Sequence, residues 1–107
     1  MGSGMAWRRF SGAGCSVVEV EGCLDASACE AFSEYLSSAA QEAAQNGESL
    51  RIDLSRLRQI SSHGLTALAK ARQAAGEDVR ITLTCPKGSV REILTISRMD
   101  ELFRVEG

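Results

Sequence analysis

The sequence predicts an α/β domain: a mixed β-sheet of four to five strands with three or more helices packed on one face. Two observations carry that expectation. Segments of strand character alternate with segments of helical period, an order that implies crossover units and parallel strand pairs. In addition, the two clearest strands, around Leu50–Leu54 and Val79–Thr84, alternate apolar with polar residues. Strands covered by helices on both sides read instead as continuous apolar runs, so helices are expected on one face only.

The elements follow in order. Trp7–Phe10 is expected to form a short strand, with Gly12–Gly14 as the turn into a second strand over Cys15–Glu21, whose β-branched valines suit a pleated surface; Gly22 then breaks it. Antiparallel pairing of these two strands is the simplest arrangement. Ser27 with Glu30 has the spacing of a capping box, and Phe32, Leu36, Ala39, Ala40 and Ala43 recur on one helical face until Asn46-Gly47 ends the helix. Leu50, Ile52 and Leu54 alternate with Arg51 and Asp53 as the central strand, and Ser55–Ser62 reads as a loop. A second helix runs over Gly64–Ala75 with Leu65, Leu68, Ala69 and Ala75 inward. A strand follows over Val79–Thr84, then a Pro86-Lys87-Gly88 turn. Ser89 and Glu92 suggest another capping box, opening a helix with Val90, Ile93 and Leu94 inward. Asp100-Glu101 reads as a solvated turn, and Phe103–Val105 as a last short strand.

The 107 residues are 44% apolar and 24% charged with a net charge of −2, which fits one ordinary globular domain. Met1–Gly4 is expected to be an expression scar and residues 5–107 a single domain. The acidic balance argues against nucleic acid as a partner: Arg51, Arg56 and Arg58 interleave with Asp53 and apolar residues and read as a solvated surface. No apolar run approaches the roughly 20 residues that span a bilayer, and no signal peptide is visible. Cytoplasmic localisation is the expectation. Cys15, Cys23, Cys29 and Cys85 form no CxxC pair, and the single histidine, His63, is distant in sequence. Reduced thiols with no disulfide, no metal site and no cofactor are therefore expected. The glycines form neither a dinucleotide nor a P-loop fingerprint.

The most informative segment is Ile60-Ser61-Ser62-His63-Gly64-Leu65, where two serines meet the start of a helix. A serine there caps the helix by accepting a bond from a first-turn N–H. The same helix end, with its unpaired N–H groups and partial positive charge, would also accommodate a phosphate. Ser62 and His63 do not read as nucleophile and base: sequence neighbours at a helix start seldom face each other, and no third group accompanies them. Asp25, at a strand-to-helix junction, has the simple role of helping to cap the first helix. The chain is expected to be a non-enzyme.

These segments carry a resemblance. Gly22-Cys23-Leu24-Asp25 resembles the G-x-L-D of the STAS family, Leu50–Ser55 its central strand, Ile60–Leu65 the loop and helix start that follow, and Val90, Leu94 and Met99–Phe103 its C-terminal helix and tail. The likeness runs from about Cys15 to Val105. It implies a sheet with helices on one side and, of the anti-sigma factor antagonist type, partner switching in bacterial transcription regulation. Such a domain binds an anti-sigma factor that is also a serine kinase; phosphorylation of one serine ends binding, and a serine phosphatase restores it. The matching phosphorylation site is Ser62, with adjacent Ser61 as rival acceptor. The resemblance places Asp25, Ser61, Ser62, His63 and Gly64 on the partner surface. Where members often have Asp-Ser-Ser-Gly this chain has Ser61-Ser62-His63-Gly64, and other members show Ile-Ser-Ser-x-Gly-Leu. The alternative is a structural STAS module of a stressosome or transporter complex without a phosphorylation switch. A monomer or weak dimer is expected.

Overall fold

A computed structural model describes residues 5–12, 14–24 and 26–107, and the side chains of these residues other than 5, 6 and 23–29. The elements are β1 (Met5–Gly12), β2 (Cys15–Leu24), α1 (Ala26–Asn46), β3 (Ser49–Ile60), α2 (Ser62–Ala75), β4 (Ile81–Thr84), α3 (Ser89–Ile96), α4 (Met99–Leu102) and β5 (Arg104–Glu106). The sheet has five strands in the order β1-β2-β3-β4-β5, the same as along the chain. β1 pairs antiparallel with β2, and every later pair is parallel. The expected mixed sheet, its antiparallel start and its final strand are all present.

One core lies between the sheet and its helices. The inward row of the sheet, Val18, Val20, Leu50, Ile52, Leu54, Ile81 and Leu83, meets Phe32 and Leu36 of α1, Leu68 of α2 and Leu94 of α3, all buried. The outward residues Arg8, Phe10, Val17, Glu19, Arg51, Asp53, Thr84 and Arg104 are exposed or half-buried, and Thr82, paired between Arg51 and Arg104, is buried, so among the described residues no helix covers that face. The one-sided layout expected from alternation is the one found.

The first helix is a clean case of periodicity becoming packing. Phe32, Leu36, Ala39, Ala40 and Ala43 are all buried. The helix ends at Gly47, whose φ of 67° few other residues adopt, and the Glu48 N–H closes the end on the Ala43 carbonyl at 2.9 Å. β1 is fixed to this helix by Trp7, whose ring lies 5.4 Å from Phe32 and 5.7 Å from Tyr35 between centroids. Tilted aromatic pairs of this kind contribute about 0.5–1.5 kcal/mol each beyond area burial. Arg9 donates to Glu42 of α1 at 2.9 Å and to the buried Ser16 hydroxyl at 3.0 Å. The Glu42 carboxylate raises the Arg9 pKa, but a pair this exposed adds little stability.

Several expectations needed correction. Gly22 does not end β2, which continues to Leu24 through register shifts between Glu19 and Glu21 and between Gly22 and Cys23. β3 continues in step with it, so Ser55–Ile60 is strand rather than loop, pairing Arg56 with Glu21 and Ile60 with Leu24. The bulges change the burial interval from two residues to three, burying Leu54, Leu57 and Ile60, and a bulge reorients side chains in this way. In α2 the buried residues are Gly64, Ala67, Leu68, Ala71 and Ala75; Leu65 and Ala69 are half-buried. The box expected from Ser89 and Glu92 does not form, because Gly88, with φ 155°, occupies the N-cap and Ser89 is already helical. A side chain would be strained at that cap, which leaves the position to glycine. Ile93 is half-buried, not buried. Asp100 and Glu101 are solvated as expected but lie in the one-turn α4. The box expected from Ser27 and Glu30 is displaced too, because α1 begins at Ala26 and Ser27 is already helical; the Ser27 side chain lies outside the described residues.

Two predictions follow from the core. Leu68→Ala removes a fully buried side chain and should lower unfolding free energy by roughly 2–5 kcal/mol in urea denaturation. Cys85 is buried, and burial raises its thiol pKa, with Arg91 pulling weakly the other way. Below the ordinary thiol range, about 8.5, folded and unfolded chains both carry the neutral thiol and its stability is fully present. As pH rises, the unfolded chain ionises first, so stability is lost until pH passes the raised folded value. Urea midpoints measured from pH 7 to beyond that range should fall more steeply for the wild type than for Cys85→Ala.

Candidate functional site

The candidate site forms where β3 hands over to α2. Ile60 is buried and ends the strand, so the chain must turn within Ser61 before the helix begins. Ser61 is the N-cap: its backbone is extended (φ −95°, ψ 173°) and its hydroxyl accepts from the Gly64 N–H at 3.3 Å. Its carbonyl accepts from the Leu65 N–H at 3.1 Å. Ser61 is half-buried in this role.

Ser62, the first helical residue, is exposed. Its carbonyl accepts from the Thr66 hydroxyl at 3.0 Å, a bond that does not engage the Ser62 hydroxyl. No acidic residue occupies the first turn of α2, so its side chains do not neutralise the positive end of the helix dipole. The structure thus gives the two adjacent serines different surroundings, Ser61 engaged in capping and Ser62 presented to solvent.

His63 is also exposed, and Gly64 is buried behind it. His63, Thr66 and Lys70 on α2 line an open groove of about 460 Å³ with Glu30, Ser33 and Glu34 on α1. One wall is acidic and the other carries the basic side chain of Lys70. The groove residues of α1 escaped the sequence reading because they are about thirty positions from the serines and read there as an ordinary solvated helix face. Asp25, expected near the serines, lies outside the described residues. Among the described residues, no group of three or more His, Cys, Asp or Glu side chains could hold a metal ion, and Cys15 and Cys85 are free thiols. Cys23 and Cys29 have side chains outside the described set. No helix of the described residues is long and apolar enough to cross a membrane.

The division between the serines makes a direct prediction. Ser61→Ala should cost about 1 kcal/mol of stability, the usual value of an N-cap, whereas Ser62→Ala should be close to neutral. Paired urea denaturation curves of the two variants check this.

Comparison with known proteins agrees with this architecture. A search among curated proteins finds no match. Among solved structures, an anti-sigma factor antagonist from Mycobacterium paratuberculosis superposes with a TM-score of 0.84 at 21% identity, covering 97% of this chain and 86% of that one. The Bacillus cell fate determinant SpoIIAA in its phosphorylated form superposes with a TM-score of 0.68 at 18% identity, covering 95% and 92%. The unphosphorylated form of SpoIIAA gives 0.65 at 19%, covering 85% and 83%. At these identities the likeness is one of fold. The family model described as "Mlab, STAS domain" matches residues 9–104. With nearly the whole chain inside that match and the one-faced sheet of the fold in place, the protein belongs to the STAS domain family.

Proposed function

We propose that this domain is a partner-switching regulator of the anti-sigma factor antagonist type, working in the bacterial cytoplasm as a binding module and not as a catalyst. Its partner is an anti-sigma factor that is also a serine kinase. Ser62 receives the phosphate, and a serine phosphatase removes it. The observation that carries this reading is the division of roles at the start of α2: Ser61 is occupied as the cap, and Ser62 is exposed one residue further on. The solved structures similar in fold, which include SpoIIAA with and without phosphate, support it.

The physical mechanism is local. The Ser62 hydroxyl is small and neutral, and a partner can dock closely over it, over His63 and along the groove between α1 and α2. A phosphate there adds a charge of about −1.5 to −2. Within the free domain the open helix end favours that charge. In the complex the same dianion must shed water or face partner carboxylates, and the neighbouring His63 shares its groove with Glu30 and Glu34. A loss of about 3 kcal/mol lowers affinity more than a hundredfold, enough to release a complex.

The test is incubation with the cognate kinase and ATP, followed by site-localising mass spectrometry on the wild type, Ser61→Ala and Ser62→Ala. Phosphate is expected on Ser62 in the wild type and in Ser61→Ala, and to be absent in Ser62→Ala. Ser62→Asp should weaken partner binding about a hundredfold in calorimetry, a penalty of about 2.7 kcal/mol. Phosphate on Ser61 would move the site by one residue. Phosphate on neither serine, with a kinase shown to be active, would overturn the switch in favour of a structural module of a stressosome or transporter complex.

A further inference from the structure

The open face of the sheet carries a charge pattern that fits a second copy of itself. Residues in register on neighbouring strands share a face. One row across the sheet is therefore Arg8, Glu19, Asp53, Thr84 and Glu106, and the next is Phe10, Val17, Arg51, Thr82 and Arg104. The first row holds three carboxylates and one arginine; the second holds two arginines, no carboxylate, and the half-exposed ring of Phe10. Arg80 lies beside the second row at the start of β4 and adds a further positive charge at that end.

We propose that this face is a self-association surface, on which two copies pack sheet to sheet about a two-fold axis that runs across the strands between these two rows. The axis lays the first row of each copy over the second row of the other. Asp53 then meets Arg51 of the second copy, Glu106 meets Arg104, and Arg8 meets the Phe10 ring in a cation–π contact. β3 is the central strand of five, so the Asp53–Arg51 pairs lie at the centre of the face, where sheet twist displaces partners least. A two-fold running along the strands would instead set Asp53 on Asp53 and Arg51 on Arg51 at the centre of the face, where like-charge repulsion disfavours it, and would leave opposite charges paired only at the edges, Arg8 over Glu106.

Arg51 is already oriented for this contact. One terminal nitrogen donates to the Thr84 hydroxyl at 2.8 Å and to Glu106 at 3.1 Å. The planar guanidinium has five N–H donors, so its remaining edge is held toward solvent. Arg104 shares the same carboxylate at 3.4 Å. The size of the face sets the strength. Five strands spaced about 4.8 Å and two rows about 6.8 Å apart span roughly 300 Å² per copy, the class of weak and transient contacts. Most of the attraction is between exposed charges, so salt should screen it. The face lies opposite the groove between α1 and α2, so the inference does not depend on phosphorylation of Ser62.

Sedimentation velocity over a concentration series from about 10 μM to about 1 mM tests it, in low salt (about 20 mM) and high salt (about 0.5 M). A reversible rise in average mass from one chain toward two is expected in low salt, reduced in high salt. Arg51→Asp and Asp53→Arg should each raise the dissociation constant at least about tenfold, while the chain carrying both changes re-forms each cross-pair with its signs exchanged and should recover association. Circular dichroism confirms that the variants fold. If Arg51→Asp does not, Phe10→Ser, outside the ion pairs, should weaken association several-fold. A mass of one chain throughout the series overturns the proposal. So does association that Phe10→Ser or either charge reversal in a folded chain leaves unchanged, or a folded double variant that associates no better than the single ones.

Discussion

The rest of this structure depends on the direction in which the chain crosses its sheet. From β2 onward each strand is laid beside the one before it, always on the same side, and each step is a parallel crossover. Such crossovers take the right-handed form almost without exception. When the hand is constant and the direction never reverses, every connecting helix falls on the same face. The one-sided core, the polar open face and the burial of Leu50, Ile52 and Leu54 with Arg51 and Asp53 turned away all follow from that rule. An α/β sheet whose strand order reverses part-way would need helices on both faces, and its strands would lose the alternation seen here.

That dependence explains which parts of the fold were legible in the sequence. The buried face of α1 and the first half of β3 are written in simple periods of 3.6 and 2, and both were read correctly. The second half of β3 was not. Past the bulges, Leu54, Leu57 and Ile60 are buried at intervals of three, which matches neither a strand nor a helix of useful length, and the flanking arginines read as loop. The missed cap of α3 has a similar origin: it turns on the backbone conformation of Gly88, and a serine one residue further on mimics the usual signal. Leu65 is half-buried because the buried stripe of α2 runs through Gly64, Ala67, Leu68, Ala71 and Ala75 and leaves Leu65 at its margin.

The candidate site was legible as a location more than as an arrangement. The run Ile60–Leu65 marked the helix start, but nothing in the order of letters says which of two adjacent serines turns inward to accept the Gly64 N–H. That is decided by the extended backbone at Ser61, which aims its hydroxyl along the helix axis, and by Ile60, which anchors the preceding residue in the core. The groove beside the serines joins residues of α1 to residues of α2 and exists only through the packing of those two helices. Asp25 entered through family resemblance, so its place near the serines remains an expectation from sequence.

The sheet order also determines where the chain enters and leaves. Met5 pairs with Gly22, near the end of β2 that leads to α1, and β5 runs parallel to β4 toward the same side, finishing where Glu106 pairs with Thr84. The two ends therefore leave from opposite edges of the sheet, about 19 Å apart across four strand spacings, yet both point toward the end where β3 delivers Ser62. Met5 lies level with Leu57, near the helix start, whereas Glu106 stops level with Asp53, seven residues before Ile60, so it is the chain at Met5, and not at Glu106, that lies on the rim around the helix start. Attachment through the Met5 end of β1 would hold that rim close to whatever the chain is tied to, whereas attachment through the Gly14 turn, at the opposite end of the strands, would leave it facing outward.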